Sequence, residues 1–282
     1  NPLVDHVDAV AHALLFVSDD THVFFAGVSR HWREAWSERA RRTSVAESLQ
    51  SVSRLAWARD CGLPWHANIC AKAAAAGRLD VLQFARQNGC PWDSKTCTSA
   101  ARAGHLPVLQ WARANNCAWD EETCYAAVAK GHLHVLGWAR DNGCPWEKNL
   151  CSRAARAGHL ECLVWCRAHR CKCRWGESIC DNAAEGGHLE VLQWCRANDF
   201  GWDRKTCGFA AGGGHLEVLQ WCRDNGCTLD STAYTLAAQG GHFEVLQWLV
   251  AAGCPRDVGA CAGAAAGGHF EILQWLRGNG FP

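Results

Sequence analysis

Between Asp203 and Gly226 the chain reads "DRKTCGFAAGGGHLEVLQWCRDNG", and its apolar positions change character halfway. In the first half they are small. Thr206, Cys207, Ala210, Ala211 and Gly214 stand at helical spacing,. In the second half Leu216, Val218, Leu219, Trp221 and Cys222 surround most of a helix, while Glu217, Gln220 and Arg223 leave one polar strip,. The pattern predicts two short helices. The first can approach a neighbour closely, and the second is buried over most of its circumference. Asp203 is placed to cap the first helix, because its carboxylate can accept from free backbone amides. Gly214 is placed to end that helix in a left-handed conformation. His215 opens the second helix, and Asn225-Gly226 closes it.

The same pattern recurs. A Gly followed by His or Arg stands at Gly77, Gly104, Gly131, Gly158, Gly187, Gly214, Gly241 and Gly268, in steps of 27, 27, 27, 29, 27, 27 and 27 residues. The aromatic of "LQW" keeps register at Trp57, Phe84, Trp111, Trp138, Trp165, Trp194, Trp221, Trp248 and Trp275. A hairpin of this kind cannot bury its faces alone, so neighbours must supply the partner surface, and tandem copies make a solenoid. The expected organisation is a helical cap over residues 1–50, then a solenoid of about eight to nine repeats over 51–282. A two-residue insertion falls near 169–173.

"AARAGHLPVLQWARANNC" (Ala100 to Cys117), "AAEGGHLEVLQWCRAND" and "AAQGGHFEVLQWLVAAGC" resemble the ankyrin repeat in the Ala-Ala pair, the Gly-His turn, the Leu-x-Val-Leu second helix and the closing Gly. The repeat length differs, at 27 residues against about 33 in an ordinary ankyrin unit. The deficit falls around "CPWD" (Cys90 to Asp93), which is too short for a β-hairpin finger, and Thr-Cys replaces the family's Thr-Pro-Leu-His opening. The resemblance implies an all-α, right-handed-stacked helical-hairpin solenoid, with fingers absent or very short, that binds other proteins on its concave face. At the N-terminus "VSRHWREAW" (Val28 to Trp36) resembles part of an F-box, although only Pro2-Leu3 approximates that family's leading Leu-Pro. This second resemblance implies a Skp1-like adaptor bound through 1–50, in a Skp1/cullin-type ubiquitin ligase. A plain helical cap would carry a similar pattern.

Charge and cysteine content narrow the partners. Lys+Arg and Asp+Glu both number 28, so the basic excess usual in a nucleic-acid grip is missing, and nucleic acid is disfavoured as the main partner,. The apolar run Ala9 to Val17 lacks a basic lead-in, contains His12, and is too short to span a bilayer,. No membrane insertion is expected, and the 19 cysteines read as reduced thiols of an intracellular protein of cytoplasm or nucleus,. Absence of Met and a start at Asn1 suggest a chain beginning inside a longer protein, and "GNGFP" at 278–282 stops where another repeat would begin.

The repeated chemical side chains read as structure. Equivalent cysteines (Cys70, Cys97, Cys124, Cys151, Cys180, Cys207, Cys261) should lie one helix layer apart, roughly 9–10 Å. That exceeds the roughly 7 Å between Cα atoms that a disulfide tolerates and the spacing a shared zinc ion needs, so core packing is expected. The series His105, His132, His159, His188, His215, His242 and His269 is expected to tie each hairpin turn to a neighbouring backbone. The tryptophans are expected to be glue between repeats, each burying roughly 150–250 Å². One place breaks the rhythm: "CRAHRCKCRW" (Cys166 to Trp175) crowds Cys162, Cys166, His169, Cys171 and Cys173 together. These are zinc-ligand types without a Cys-x-x-Cys pair, so an enlarged loop competes with a zinc- or thiol-dependent protein centred on 162–180.

No catalytic constellation and no phosphate-cradling loop stand out, so neither an enzyme nor a cofactor is expected. Recognition belongs on the positions that vary over a constant frame. On the first helices these are Lys72, Arg102, Tyr125, Arg153, Arg156, Asn182, Glu185, Phe209, Leu236 and Gln239. Their chemistry is basic toward one end, with an apolar spot at Phe209 and Leu236. It suits a partner protein, or a multi-subunit assembly, that offers an acidic segment and an apolar anchor.

Overall fold

The computed structural model describes residues 45–60, 63–146, 148–171, 173 and 175–282. The F-box-like segment therefore lies outside the described residues up to position 44. The chain divides into two compact units, Asn1–Thr123 and Cys124–Pro282. Short helices alternate with turns throughout, and no strand occurs among the described residues. The connectors around "CPWD" carry no β-finger, as the short repeat length implies.

In the first unit the helices are α1 (Val45–Ser48), α2 (Val52–Asp60), α3 (Ala67–Ala75), α4 (Leu79–Gln87), α5 (Ser94–Arg102) and α6 (Leu106–Ala114). Helix α7 (Glu121–Ala129) holds the division point. The second unit continues with α8 (Leu133–Asp141), α9 (Leu150–Arg156), α10 (Leu160–Ala168), α11 (Glu177–Gly186), α12 (Leu189–Ala197), α13 (Arg204–Gly212), α14 (Leu216–Asp224), α15 (Thr232–Gly240), α16 (Phe243–Ala251), α17 (Ala260–Gly267) and α18 (Phe270–Gly278). Odd-numbered helices are the first of each hairpin, even-numbered the second.

Within each unit, first helices pack on the first helix of the next repeat: α3 on α5 in the first unit, and α9 through α11, α13 and α15 to α17 in the second. Small residues make that approach possible. Ala73, Ala74, Ala100 and Ala101 are wholly buried in the first unit, as are Ala154, Ala155, Ala183, Ala184, Ala210 and Ala211 in the second. The second helices supply the larger core. Leu55, Leu82 and Leu109 occupy one repeated slot in the first unit, and Leu136, Leu163, Leu192, Leu219 and Leu246 occupy it in the second, all fully buried. Each such leucine contributes roughly 2–3 kcal/mol of burial.

The turn between helices is fixed by two residues. Gly214 has φ +77°, and a Cβ there would stand 2.3 Å from Nδ1 of His242 in the following repeat. Glycine is required both for the backbone conformation and for the space the ring fills. The histidines do what the sequence suggests. Nε2 of His188, His215 and His242 bonds the backbone oxygens of Arg156, Glu185 and Gly212, at 3.0, 3.1 and 2.9 Å.

The tryptophans differ from expectation. None of those described is fully buried. Trp202 meets Trp221 of the same hairpin edge to face at 5.5 Å, and Arg196 of the preceding repeat covers the Trp202 ring at 4.5 Å. Arg86, Trp92 and Trp111 repeat that arrangement in the first unit. The Trp–Trp contact braces one hairpin, and rings join repeats both through an arginine over a half-buried ring, worth about 0.5–1 kcal/mol at such a site, and through Trp275 against Phe243 of the preceding repeat at 5.1 Å.

Candidate recognition face and the buried thiols

In the second unit the varied positions of α7, α9, α11, α13 and α15 share the first-helix side. Arg153 and Arg156 are exposed, and Tyr125, Asn182, Glu185, Phe209 and Leu236 are half-buried. Several are already engaged with each other. The Arg153 guanidinium lies 4.5 Å over the Tyr125 ring, and Arg156 pairs with Glu185 at 2.6 Å. Asn182 Nδ2 donates to the Ser178 carbonyl on its own helix. Leu236 leans across the previous first helix, where a Cβ on Gly208 or Gly212 would come within 3.3 or 3.1 Å of it. Phe209 is half-buried beside that seam, and Gln239 is exposed. Lys72 and Arg102 are exposed on the first unit and are described there by themselves. Two other positions of the same register, Ala126 and Gly263, are buried, because only a side chain longer than the helix–helix gap emerges from this seam.

Behind the face lies a polar contact between α11 and α13. Thr206 Oγ1 donates to Asp181 Oδ1 at 2.7 Å. Burial raises the Asp181 carboxyl above the usual range, with the Thr206 bond acting against it.

The sequence reading missed a second exposed apolar spot. Phe270 is 67% exposed and Phe243 38% exposed. With Gly241, Gly268, His269 and Ile272 they line an open groove of about 550 Å³. The signal was legible, since "GHFEVL" and "GHFEIL" put phenylalanine where the other repeats carry leucine.

It also missed how the thiols pair. The comparison of equivalent cysteines in successive repeats overlooked cysteines within one repeat. The free thiols of Cys70 and Cys90, Cys97 and Cys117, and Cys124 and Cys144 are paired by hydrogen bonds, each pair twenty residues apart. Sγ atoms of Cys207 and Cys227 lie 2.6 Å apart. The thiol after the second helix also reaches back to the residue before the first. Cys117, Cys227 and Cys254 donate to the carbonyls of Asp93, Asp203 and Asp230 at 3.4, 3.2 and 3.3 Å. These bonds close each hairpin at its open end. Where a cysteine is replaced, an aromatic stands in: Tyr234 donates to the Cys254 carbonyl, and its ring meets Phe281 at 4.9 Å.

The inserted loop corrects the expectation that every cysteine is reduced. Cys151 and Cys173 form a disulfide, with Cα atoms 6.0 Å apart. Cys173 lies in the inserted stretch, and the Cα separation is inside bonding range,. The zinc candidates go to separate partners. The free thiols of Cys166 and Cys171 share a hydrogen bond, and His169 stacks on Trp165 at 4.0 Å, its Nδ1 2.9 Å from the Trp165 carbonyl oxygen. Cys162 is buried, which pushes its thiol up to about 11. Among the described residues no group of three or more His, Cys, Asp or Glu is placed to hold a metal ion. No helix among them is long and apolar enough to cross a membrane.

Residues 150–196, covering α9 to α12, match the family model for ankyrin repeats (many copies). No curated protein matches the chain by sequence. Among solved structures, the human ASB11 ankyrin repeat domain is similar over 56% of this chain and 84% of its own, at 17% identity and a TM-score of 0.44. The matched repeat is the one that recurs on both sides of residues 150–196, so the array is ankyrin-like.

Proposed function

We propose that these ankyrin-like repeats form a non-enzymatic protein-interaction scaffold, and that the first-helix face of the second unit holds the partner. One observation carries this reading. Over a frame whose buried residues barely change, the outward positions change from Arg153 over Tyr125, through Arg156 with Glu185, to Phe209 and Gln239. A surface kept only for solubility has no need of an arginine preset on an aromatic ring and, two first helices further on, a half-buried phenylalanine.

Arg153 is held by the Tyr125 ring, so less freedom is lost when it meets a carboxylate. Arg156 must exchange Glu185 for the partner's acid, which favours a segment carrying more than one carboxylate. Phe209 supplies the apolar anchor. The partner is thus an acidic protein segment with one apolar side chain. The ubiquitin-ligase role rests on the F-box-like residues alone, and co-purification of a Skp1-like protein is its separate test.

Proteins retained by the tagged chain would be identified by mass spectrometry. The capture would then be repeated with Arg153→Glu, Arg156→Glu and Phe209→Ala combined. All three side chains lie outside the fully buried core, so helicity by circular dichroism should be unchanged while specific partners are lost. Retention of the same partners by the folded variant would overturn the placement.

A further inference from the structure

We propose that Cys207 and Cys227 form a thiol–disulfide exchange site, which a small-molecule disulfide of the glutathione type converts into a cross-link within one repeat. The two sulfurs stand 2.6 Å apart, closer than unbonded sulfur atoms rest. Their residues belong to fixed elements, Cys207 to α13 and Cys227 to the turn after α14, where its amide bonds the Cys222 carbonyl at 2.9 Å. A disulfide already joins Cys151 to Cys173 between the matching elements of an earlier repeat. That bridge uses Cys173 of the inserted stretch, so it shows that a thiol after the second helix can reach the first, while the closeness of Cys207 and Cys227 in the regular hairpin rests on their own sulfur separation.

The two thiols differ in a way that assigns their parts. Cys207 is wholly buried, whereas Cys227 is 5% exposed and is the end a solute reaches first. At the same place in other repeats Cys90, Cys117 and Cys144 are wholly buried, while Cys171 and Cys254 are 5% and 7% exposed but pair with Cys166 and with Tyr234 instead of a first-helix thiol. Cys207 donates a hydrogen bond to Cys227. That bond draws the Cys227 thiol below the ordinary cysteine value. Hydrogen bonds with Cys222 first, and Cys227 next, raise Cys207. The thiolate is the nucleophile in exchange, so Cys227 attacks and Cys207 resolves.

The balance is simple. Cys227 gives up its proton, and its thiolate forms a bond to one sulfur of oxidised glutathione, whose S–S bond breaks; one glutathione leaves as a thiolate and takes up that proton. Cys207 then gives up its proton, and its sulfur bonds to Cys227. The second glutathione leaves as a thiolate and takes that proton. Two protein thiols are oxidised to one disulfide, and one glutathione disulfide is reduced to two thiols.

The test uses the intact chain under native conditions with oxidised glutathione. After an acid quench, free thiols are alkylated in denaturant, and the chain is cut with trypsin without reduction. Cys207 lies in the fragment 206–223 and Cys227 in 224–256. The expected result is these two fragments joined, two hydrogens lighter than their sum, released by dithiothreitol, with fragmentation placing the link at Cys207 and Cys227. Cys254 and Cys261, which face aromatic residues instead of thiols, should remain alkylated in full. Both target residues alkylated, or Cys227 joined to any other cysteine, would overturn the proposal. Cys222→Ser should keep the link. Cys227→Ser should leave Cys207 alkylated, and a link from Cys207 to Cys222 formed at the wild-type rate would also overturn the assignment.

Discussion

The repeat at 203–227 and the repeat at 147–173 hold the same parts, yet two extra residues rearrange their sulfur. In the regular repeat Cys207 meets both Cys222 and Cys227. In the inserted one the matching residues are Cys151, Cys166 and Cys171, and the backbone of Cys171 still bonds the carbonyl five residues back, as Cys227 does. Its thiol, however, turns to Cys166, and Cys173 takes its place beside Cys151. Pairing thus follows the space at the open end of the hairpin, not the residue count. The second helices and their leucine slots are the same in both repeats, so an insertion after the second helix is absorbed where the chain has least packing to lose.

The largest effect probes what the two repeats share. Leu219→Ala and Leu163→Ala should each destabilise by about 3 kcal/mol, because both side chains are wholly buried and leave equivalent cavities,. Urea unfolding measures this. A loss at Leu163 much smaller than at Leu219 would mean that the insertion loosens the core as well as the loop. Next comes the covalent difference. Cys173→Ser removes the bridge that closes 22 residues, and should lower stability by about 3 kcal/mol. Cys227→Ser in the regular repeat removes a thiol contact and should lower it by about 1 kcal/mol. Amide exchange would place the first loss at α9 and α10. Equal losses in the two repeats would end the distinction.

The regular repeat was legible because periodicity reports burial directly. The small residues of α13, the leucine slot of α14 and the left-handed Gly214 each follow from one local rule. The histidine bonds were legible for the same reason: every copy repeats the demand. The thiol pairs were not, because Cys207 and Cys227 meet through the closure of the hairpin and belong to different repeated series. The disulfide was further off still, since the bend of the inserted loop decides which of Cys171 and Cys173 reaches α9. On the face, residue identity was legible and engagement was not. Nothing in the sequence alone says that Arg156 already holds Glu185, or that Leu236 is spent on Gly208 and Gly212.

A smaller contrast separates the helix starts. Asp203 Oδ1 accepts from the Lys205 amide at 2.7 Å, while Asn149 makes no such bond at the start of α9. Asp203→Ala should therefore weaken its repeat by about 1 kcal/mol, and Asn149→Ala should leave thermal unfolding nearly unchanged. A comparable loss at Asn149 would show that the inserted repeat depends on that residue in some other way.

The smallest effect is a pH dependence set by His215 and Asp181. Burial lowers His215 below the ordinary histidine value, its bond to Glu185 works against that, and the neighbouring His188 and His242 lower it further. The unfolded chain, with an ordinary histidine near 6.5, then binds more protons than the folded chain below that pH. Stability is lost as the pH falls from neutrality through the histidine range. Asp181 acts in the opposite sense. Its raised carboxyl means that the folded chain keeps the proton longer, so stability falls as the pH rises from 3.8 through the folded value. Acidification should first loosen the α13–α14 repeat through His215, and then regain part of the loss through Asp181. His215→Gln should flatten the upper limb of the stability–pH curve and Asp181→Asn the lower one. The curve of the wild-type chain should be the sum of the two, and an upper limb that survives His215→Gln would assign it to the other histidines of the ladder.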